Sequence, residues 1–262
     1  MKIATWNVNA LRVRLPQVLA WLEKEHPFVL ALQETKVDDR AFPVAEFAEA
    51  GWHVCYSGQP TYNGVALISA LPPAHIQAGV PGLADPQRRA LAASYPTTVL
   101  PGGWLRVVSL YVPNGQAPGS DKYAYKLEWL SHARDWLKQE LANWPGLAIV
   151  GDYNIAPEDR DCHDPLGWVG HVLVSPLERA AFQRLLDLGL VDAFRLFEQP
   201  VSSFSWWDYR AASFRRNQGM RIDHILVSQL VATHCQNCYV DPTPRRSERP
   251  SDHTPVIMTI TS

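Results

Sequence analysis

Polar side chains with the chemistry of acids, bases or metal ligands lie within, or next to the end of, strongly apolar runs of this 262-residue sequence. They are Asn7, Glu34, Tyr111, Asp152, Asn154, Asp223, Asp252 and His253. A carboxylate at the rim of a core is costly unless it is paired or bound to a metal ion. If several of these run ends meet at one edge of the fold, their side chains form a site.

The types and spacing of these residues indicate a site for a hard cation. Asp152 and Asn154 are two residues apart, as are Asn7 and Asn9, and alternate residues of an extended chain point to the same side. Carboxylates, amides and one imidazole make an oxygen-rich set, which suits Mg²⁺, or Mn²⁺ in its place, better than a soft metal. The sequence therefore predicts a divalent-cation site at this edge.

Several of these residues also have a purely structural interpretation. Glu34 can be a solvated strand end, and Tyr111 can be a core tyrosine before a turn. Asp152 and Asn154 can cap a turn before Pro157. Other catalytic templates are absent, because the sequence contains no G-x-S-x-G, G-x-x-x-x-G-K-[ST], H-E-x-x-H or G-x-G-x-x-G motif.

The elements that must position the site are apolar runs that alternate with amphipathic helices. Apolar residues at i, i+3, i+4 and i+7 from Leu15 predict a helix that Pro27 ends. A second helix begins near Asp121, and the capping box Ser175–Glu178 opens a third. Strands are predicted at 28–32, 65–68, 147–150, 222–227 and 256–260. The pattern, which has no repeat and no linker, predicts one domain over residues 1–262 with helices packed outside sheets, an α/β or α+β fold.

The composition is that of a globular protein, since 47% of the residues are hydrophobic and only 4 are cysteines. The 24 Lys and Arg against 26 Asp and Glu give a net charge of −2, which argues against binding nucleic acid by bulk attraction. Of the cations, 18 are Arg, whose planar guanidinium suits phosphate. Individual arginines are therefore the expected contacts to any phosphate-bearing partner, with Arg12, Arg88, Arg89, Arg215, Arg216, Arg245 and Arg246 as candidates.

The sequence favours a cytoplasmic protein that has no membrane partner. No run approaches the roughly 20 apolar residues that span a bilayer, and the first residues are typical of a strand rather than a signal peptide. Cys235 and Cys238 form one C-x-x-C pair, but a zinc site normally needs a second ligand pair. The sequence therefore argues against zinc.

Six segments, in chain order, resemble the exodeoxyribonuclease III family of apurinic/apyrimidinic endonucleases. They are Thr5–Arg12, Leu32–Lys36, Leu110–Gly115, Gly151–Pro157, Arg221–His224 and Arg249–Val256. The segment Phe204–Arg210 also resembles a late strand of that family. The resemblance implies a four-layer α/β sandwich, with two packed mixed β-sheets flanked by helices and the site at one end.

The resemblance also implies Mg²⁺-dependent hydrolysis of phosphodiester bonds in double-stranded DNA, at abasic sites and blocked 3′ ends. It implies a monomer that acts in the bacterial cytosol, on the nucleoid. Glu34 would bind the metal with help from Asn7, Asp252 and His253. Asp152 would orient and deprotonate the attacking water. The remaining implied roles are phosphate binding by Tyr111 and Asn154, charge stabilisation by His253 oriented by Asp223, and substrate contacts from Asn7, Asn9, Arg12, Asn114, His171, Leu173, Trp207 and Met220.

The chain departs from the family pattern at the metal site and around the pocket for the base-less sugar. Asn9 stands where some relatives have Asp, a change expected to weaken metal binding, and Met220 stands beside the nucleotide pocket where some have Trp. The loop 168–174 carries the bulky Leu173 and the nearby His171. A crowded pocket is expected to favour trimming of 3′ blocking groups over internal incision.

Two other functions are compatible with parts of the sequence. Inositol-phosphate phosphatases and sphingomyelinases share similar strand-end motifs, but the match at 206–210, the arginine-rich segments and the lack of a membrane-binding tract argue against them. A catalytically inactive DNA-binding module is disfavoured because every expected acid, amide and imidazole is present.

Overall fold

Twelve strands form two mixed sheets of six strands each in the computed structural model, which describes residues 1–262. The first sheet contains β1 (Lys2–Asn7), β2 (Val29–Gln33), β3 (His53–Ser57), β4 (Val65–Ser69), β11 (Cys235–Val240) and β12 (Val256–Ile260), in the order β11-β12-β1-β2-β4-β3. The second contains β5 (Ala74–Ala78), β6 (Ala90–Pro96), β7 (Trp104–Tyr111), β8 (Leu147–Asp152), β9 (Val191–Asp192) and β10 (Asp223–Val227), in the order β5-β6-β7-β8-β10-β9.

Helices cover the outer faces of both sheets. They are α1 (Leu11–Glu25) and α2 (Val44–Glu49) on the first sheet and α3 (Asp121–Asn143) and α4 (Pro176–Leu186) on the second. The short α5 (Gln229–His234) before β11 instead contributes Val231 to the core between the sheets. A core of 23 buried residues lies between the sheets. Further cores of 20 and 15 residues lie beneath the two helical layers. The expected four-layer α/β sandwich is confirmed.

The strands that read as continuous apolar runs are those with both faces covered. Every residue of β2 and of β8 is buried, because one face packs on the opposite sheet and the other packs under helices. The predicted capping box is also formed: Ser175 Oγ accepts a hydrogen bond from the Glu178 backbone N–H, and the Glu178 side chain accepts one from the Ser175 N–H. This cap fixes where α4 begins.

The buried stripe of α3 is formed by tryptophans together with leucines. Leu127 and Leu141 lie at the edge of the core, whereas Trp129 and Trp136 lie inside it. Lys126 is also fully buried in this helix. A polar residue at a core-facing position of a helix needs a partner, and its partner lies near the site.

The segment 204–210 is not a strand, contrary to the resemblance. Ser205 and Trp206 hydrogen-bond through their backbones to Met220, whereas Trp207 N–H donates to the carbonyl of Asp252. Because successive residues pair with two different segments, only single bridges form.

The four cysteines are free, and Cys235 is partly exposed whereas Cys238 is buried.

Strand pairing brings the predicted site residues to one edge. The parallel pair β1–β2 aligns Asn7 with Gln33, one residue before Glu34. The parallel pair β7–β8 aligns Tyr111 with Asp152, and the antiparallel pair β8–β10 aligns Asp152 with Asp223. Parallel strands end at the same edge of a sheet, so polar side chains from both sheets meet there.

Gly151 is required at this edge because β7 passes very close to it. A Cβ at this position would lie 1.9 Å from the carbonyl oxygen of Leu110, well inside van der Waals contact. The absence of a side chain therefore lets β8 carry Asp152 against the end of β7.

None of the helices combines the length and the apolarity that crossing a bilayer requires.

Candidate active site

Asp152, His253 and Glu34 form the centre of the site. Asp152 and His253 are 1% and 4% exposed, and Glu34 is half-buried. One ligand atom from each of these residues lies within 4.8 Å of the other two. Residues from both sheets and from the loop before β12 therefore share one small polar volume.

Asn7 joins the two carboxylates. Its Nδ2 donates to Glu34 Oε1 at 2.8 Å and to Asp152 Oδ2 at 2.9 Å, and its Oδ1 accepts from the Asn9 N–H at 3.0 Å. Asn7 is the last residue of β1, and these three partners surround the end of that strand. Asn7 therefore sets the separation between a carboxylate of the first sheet and one of the second.

His253 is held from behind by a buried acid. Its Nδ1 donates to Asp223 Oδ2 at 2.9 Å, and its Nε2 lies 3.7 Å from Asp152 Oδ2. Ser205 Oγ donates to the same Asp223 oxygen at 2.6 Å. The imidazole is thereby fixed in one orientation with Nε2 directed into the site. Ser205 was not predicted from the sequence, because a serine before two tryptophans does not by itself indicate a contact with Asp223.

The charges in this cluster shift the pKa values of its acid and its base. Burial raises the pKa of the Asp152 carboxyl to about 7, although His253 acts in the opposite direction. Burial acts to lower the pKa of His253, but the carboxylates of Asp223 and Asp152 outweigh it and raise this pKa to about 10. An imidazolium therefore faces a carboxyl group that burial makes more basic than an exposed aspartate.

Tyr111 forms one wall of the site with its hydroxyl protonated. Burial raises the pKa of the phenol well above its ordinary value, and the carboxylates of Glu34 and Asp152 raise it further. The guanidinium of Arg89 lies over the ring, 4.7 Å from its centroid. The cation–π contact holds the ring in place and leaves the hydroxyl as a hydrogen-bond donor.

Asn154 and Asn114 face each other from the loops that follow β8 and β7. Asn154 N–H donates to Asp152 Oδ1 at 2.9 Å, and its Nδ2 donates to the Val112 carbonyl at 3.0 Å. Asn114 Nδ2 donates to Asn154 Oδ1 at 3.0 Å. Asn154 has φ of 50°, a left-handed conformation that Asn tolerates better than most residues.

Asp252 lies beside the cluster rather than in it. Its Oδ1 accepts from Asn9 Nδ2 at 2.9 Å, and its Oδ2 accepts from Trp206 Nε1 at 3.1 Å. Both oxygens are therefore occupied by neutral donors. Asp252 is absent from the three-residue group whose ligand atoms cluster, so its role as a metal ligand stays a prediction.

Comparison with known proteins gives the family. The model of the Endonuclease/Exonuclease/phosphatase family matches residues 4–253. The chain belongs to this family. It is 38% identical to an exodeoxyribonuclease III from Haemophilus influenzae, over 98% of this chain and 98% of the relative.

Solved structures of the Endonuclease/Exonuclease/phosphatase family have the same fold. A 3′-5′ exonuclease (NExo) from Neisseria meningitidis is 44% identical, with a TM-score of 0.95 and coverage of 100% of both chains. An AP endonuclease from Archaeoglobus fulgidus is 36% identical, with a TM-score of 0.92 and coverage of 99% of both chains. The predicted resemblance to exodeoxyribonuclease III and the AP endonucleases is confirmed.

Three of the residues predicted to border the sugar pocket of this family member are buried. Met220, Leu173 and Trp207 are 0%, 4% and 3% exposed. Met220 and Leu173 belong to one buried apolar cluster, against which Trp206 packs. Leu173 has φ of 78°, a conformation that is strained for a leucine. His171 lies exposed on the same loop.

The candidate arginines divide into exposed and buried groups. The exposed ones are Arg12, Arg88, Arg215, Arg216 and Arg246, whereas Arg89 is half-buried against Tyr111. Arg245 is only 7% exposed, and its guanidinium packs 5.0 Å from the centroid of Phe214 and donates to the Ser251 carbonyl. Arg245 therefore braces the wall that carries His253, and its assignment as a free DNA contact is wrong.

The donor set fits a hard divalent cation. Glu34 and Asp152 present carboxylate oxygens within 4.8 Å of each other and of an imidazole nitrogen. The second oxygen of Glu34 lies 2.9 Å from the Lys36 ammonium, so a positive charge already stabilises this carboxylate. Members of the family are metal-dependent, and oxygen donors are the ligands that Mg²⁺ and Mn²⁺ prefer.

We expect Mn²⁺ to raise the melting temperature of the protein and the substitution Glu34→Gln to remove most of that increase, because a ligand that binds only the folded state stabilises it. Differential scanning fluorimetry over a Mn²⁺ titration measures the effect. The matched control is Glu49→Gln, which changes an exposed carboxylate on α2. Equal Mn²⁺ responses in the two variants would show that Glu34 is not a ligand.

Proposed function

We propose that this protein is a Mg²⁺-dependent DNA repair nuclease that acts mainly on 3′ ends of double-stranded DNA. The observation that carries the proposal is the facing pair of Asp152 and His253, whose Oδ2 and Nε2 are 3.7 Å apart beside Glu34. This pair provides a base and a cation at one point, as hydrolysis of a phosphodiester requires. Mn²⁺ is expected to substitute for Mg²⁺.

The relatives support DNA as the substrate. The Haemophilus relative is named for exodeoxyribonuclease activity, and the Neisseria relative is described as a 3′-5′ exonuclease. A second Neisseria structure, at the same identity, is described as a 3′ phosphatase bound to a product DNA hairpin. The prediction of an exodeoxyribonuclease III-like hydrolase is confirmed at this level of family and relatives.

The site residues can be given roles in the hydrolysis. Water attacks phosphorus, its proton passes to Asp152, and the bond to the leaving oxygen breaks as that oxygen takes up a proton from solvent water. The His253 imidazolium, oriented by Asp223, balances the charge on the non-bridging oxygens, while the hydroxyl of Tyr111 and the amide of Asn154 hold the phosphate. When bound, Mg²⁺ supplies Lewis-acid stabilisation of the same charge.

The cation would be held chiefly by Glu34 and Asp152, the two clustered carboxylates. Asn7 and Asp252, further ligands that the resemblance implies, remain part of this proposal. His253 is not retained as a ligand, because both nitrogens of an imidazolium carry protons and have no lone pair for a metal ion. Substrate contacts from Asn9, Arg12, Asn114 and His171 are also proposed, and Arg12, Asn114 and His171 are exposed. Leu173, Trp207 and Met220 would act by shaping the pocket, since their side chains are buried.

Preference for 3′ ends follows from the filled pocket. A base-less sugar inside a duplex must leave the helix to reach the site, and it needs an opening next to Asn154 and His253. Leu173 and Met220 occupy a buried cluster at that place. A 3′-terminal phosphate or blocking group needs no such opening. Internal incision at abasic sites is the second candidate activity, which the likeness to the Archaeoglobus AP endonuclease favours.

The proposal places the function in one domain over residues 1–262 that works as a monomer. The core between the sheets draws on strands from both ends of the chain, including β1 and β12. The proposal also includes a bacterial cytosolic location on the nucleoid, because DNA, the proposed substrate, occurs there.

Metal-dependent cleavage should be seen with at least one of three duplex oligonucleotides, which carry a 3′-phosphate, a recessed 3′ end or an internal abasic site. We expect the order of initial rates to follow that sequence in the presence of Mg²⁺, and EDTA to stop all three reactions. Denaturing gel electrophoresis measures the products. Lack of cleavage of every duplex would exclude the nuclease function.

Asp152→Asn and His253→Asn should each lower kcat by about 10²-fold to 10⁴-fold, the usual contribution of a general base or a positioned cation. The Kd for DNA should change by less than about threefold, because neither substitution removes an exposed surface group. Fluorescence anisotropy in EDTA measures binding without turnover. A variant that retains the parental kcat would disprove the role given to that residue.

The double substitution His171→Gly, Leu173→Gly should raise the ratio of abasic-site incision to 3′-phosphate removal by about tenfold, which corresponds to about 1.4 kcal/mol between the two barriers. Opening the pocket admits the base-less sugar, while a 3′-terminal group, which needs no such opening, gains nothing from the change. The control is Val169→Gly, since this valine is exposed on the same loop. No change in the ratio would show that the loop does not determine the substrate.

A further inference from the structure

Lys126 of α3 and Glu178 of α4 form an ion pair that is completely buried next to the site. Both side chains are 0% exposed, and Nζ lies 2.5 Å from Oε1. Such a pair is weak evidence for stability, because well-packed apolar side chains of similar volume are often as stable or more so. Its hydrogen bonds indicate a different role.

The ammonium group of Lys126 binds two loops of the site. Nζ donates to the carbonyl oxygen of Asn154 at 2.6 Å and to that of Asn114 at 3.1 Å. Together with Glu178, these acceptors use all three donors of the ammonium group. One cation therefore connects the backbone after β7 to the backbone after β8.

The two residues that Lys126 binds are the ones whose amides face each other at the site. Their side chains are joined by a 3.0 Å hydrogen bond from Asn114 Nδ2 to Asn154 Oδ1. Asn154 is also held through its N–H by Asp152 Oδ1, at 2.9 Å. Its backbone is thus fixed on one side by the carboxylate and on the other by the ammonium group, in a left-handed conformation.

Glu178 is itself fixed, so the position of the ammonium group is well defined. Its Oε1 accepts from the Leu173 N–H at 3.0 Å, and its Oε2 accepts from the Ser175 N–H at 3.2 Å. The Tyr123 hydroxyl lies 2.6 Å from Ser175 Oγ. The carboxylate therefore ties the loop that ends at Leu173 to the same cation.

We propose that the Lys126–Glu178 pair is a positioning device that holds the amides of Asn114 and Asn154 in register with Asp152. Neither member touches the substrate, because both are buried. The pair acts through the two asparagines, and its kinetic effect rests on the nuclease function proposed above.

The test replaces both charges with side chains of similar length, in the variant Lys126→Met, Glu178→Met. Its melting temperature should fall less than that of Lys126→Met alone, since four backbone groups lose a hydrogen-bond partner but no buried charge is left unpaired. The kcat for 3′-phosphate removal should fall about 100-fold, the cost of a misplacement of about 1 Å. KM should change less than about threefold. In an Asn154→Ala background the same pair of substitutions should cost much less than 100-fold.

The matched control is the buried pair of Arg106 and Glu140, whose Nε and Oε2 are 2.6 Å apart. Arg106 lies near the start of β7, at the far end of that strand from Tyr111. Arg106→Met, Glu140→Met should leave kcat within about twofold of the parental value, because this pair is remote from the site.

A second readout does not depend on activity. The side-chain ¹⁵N–¹H resonances of Asn114 and Asn154 should move or broaden in the Lys126→Met, Glu178→Met variant and stay in place in the control. If the parent protein cleaves no duplex, the nuclease function fails while this spectrum still tests the positioning. Parental kcat with unchanged resonances would overturn the proposal. So would failure of the double variant to fold, because the pair would then be a requirement of the fold.

Discussion

A carboxylate that is removed from water must be met by hydrogen-bond donors or by positive charge, and Asp152 is such a group at the end of β8. Its Oδ1 receives the N–H of Asn154. Its Oδ2 receives the amide of Asn7, with His253 3.7 Å away. Each of these partners comes from a different segment of the chain. The hydrogen bonds and charges that stabilise this one buried acid therefore come from both sheets and two loops.

The positions of these partners follow from strand pairing. Parallel pairs end at the same edge, and the sandwich contains one such pair in each sheet, β1–β2 and β7–β8. The close approach of Gly151 to the Leu110 carbonyl lets the second pair reach that edge together. Rigid strand ends, rather than mobile loops, therefore carry Asn7 and Asp152, which suits a reaction that depends on fixed charge.

A net charge of −2 conceals two regions of opposite sign. The acids Glu34, Asp152, Asp223 and Asp252 gather at the site, where they attract a cation. Exposed arginines lie elsewhere, on α1 and on loops. In the proposed function, affinity for DNA depends on a few placed guanidinium groups, and such binding weakens with salt in proportion to the phosphates contacted.

The sequence by itself determined the family, the four-layer fold and most members of the site, because strand-end acids and amides occur in six ordered segments that carry specific chemistry. It also determined the start of α4, since a capping box acts locally. It could not show that Arg245 is internal, that 204–210 lacks a strand ladder, or that Ser205 supports Asp223. Nor did it reveal the buried contact of Lys126 with Asn114, Asn154 and Glu178. These features depend on which segments are in contact in the folded protein. Only the packing of the two sheets and their helices determines which polar groups are buried and therefore need hydrogen-bond partners from other segments.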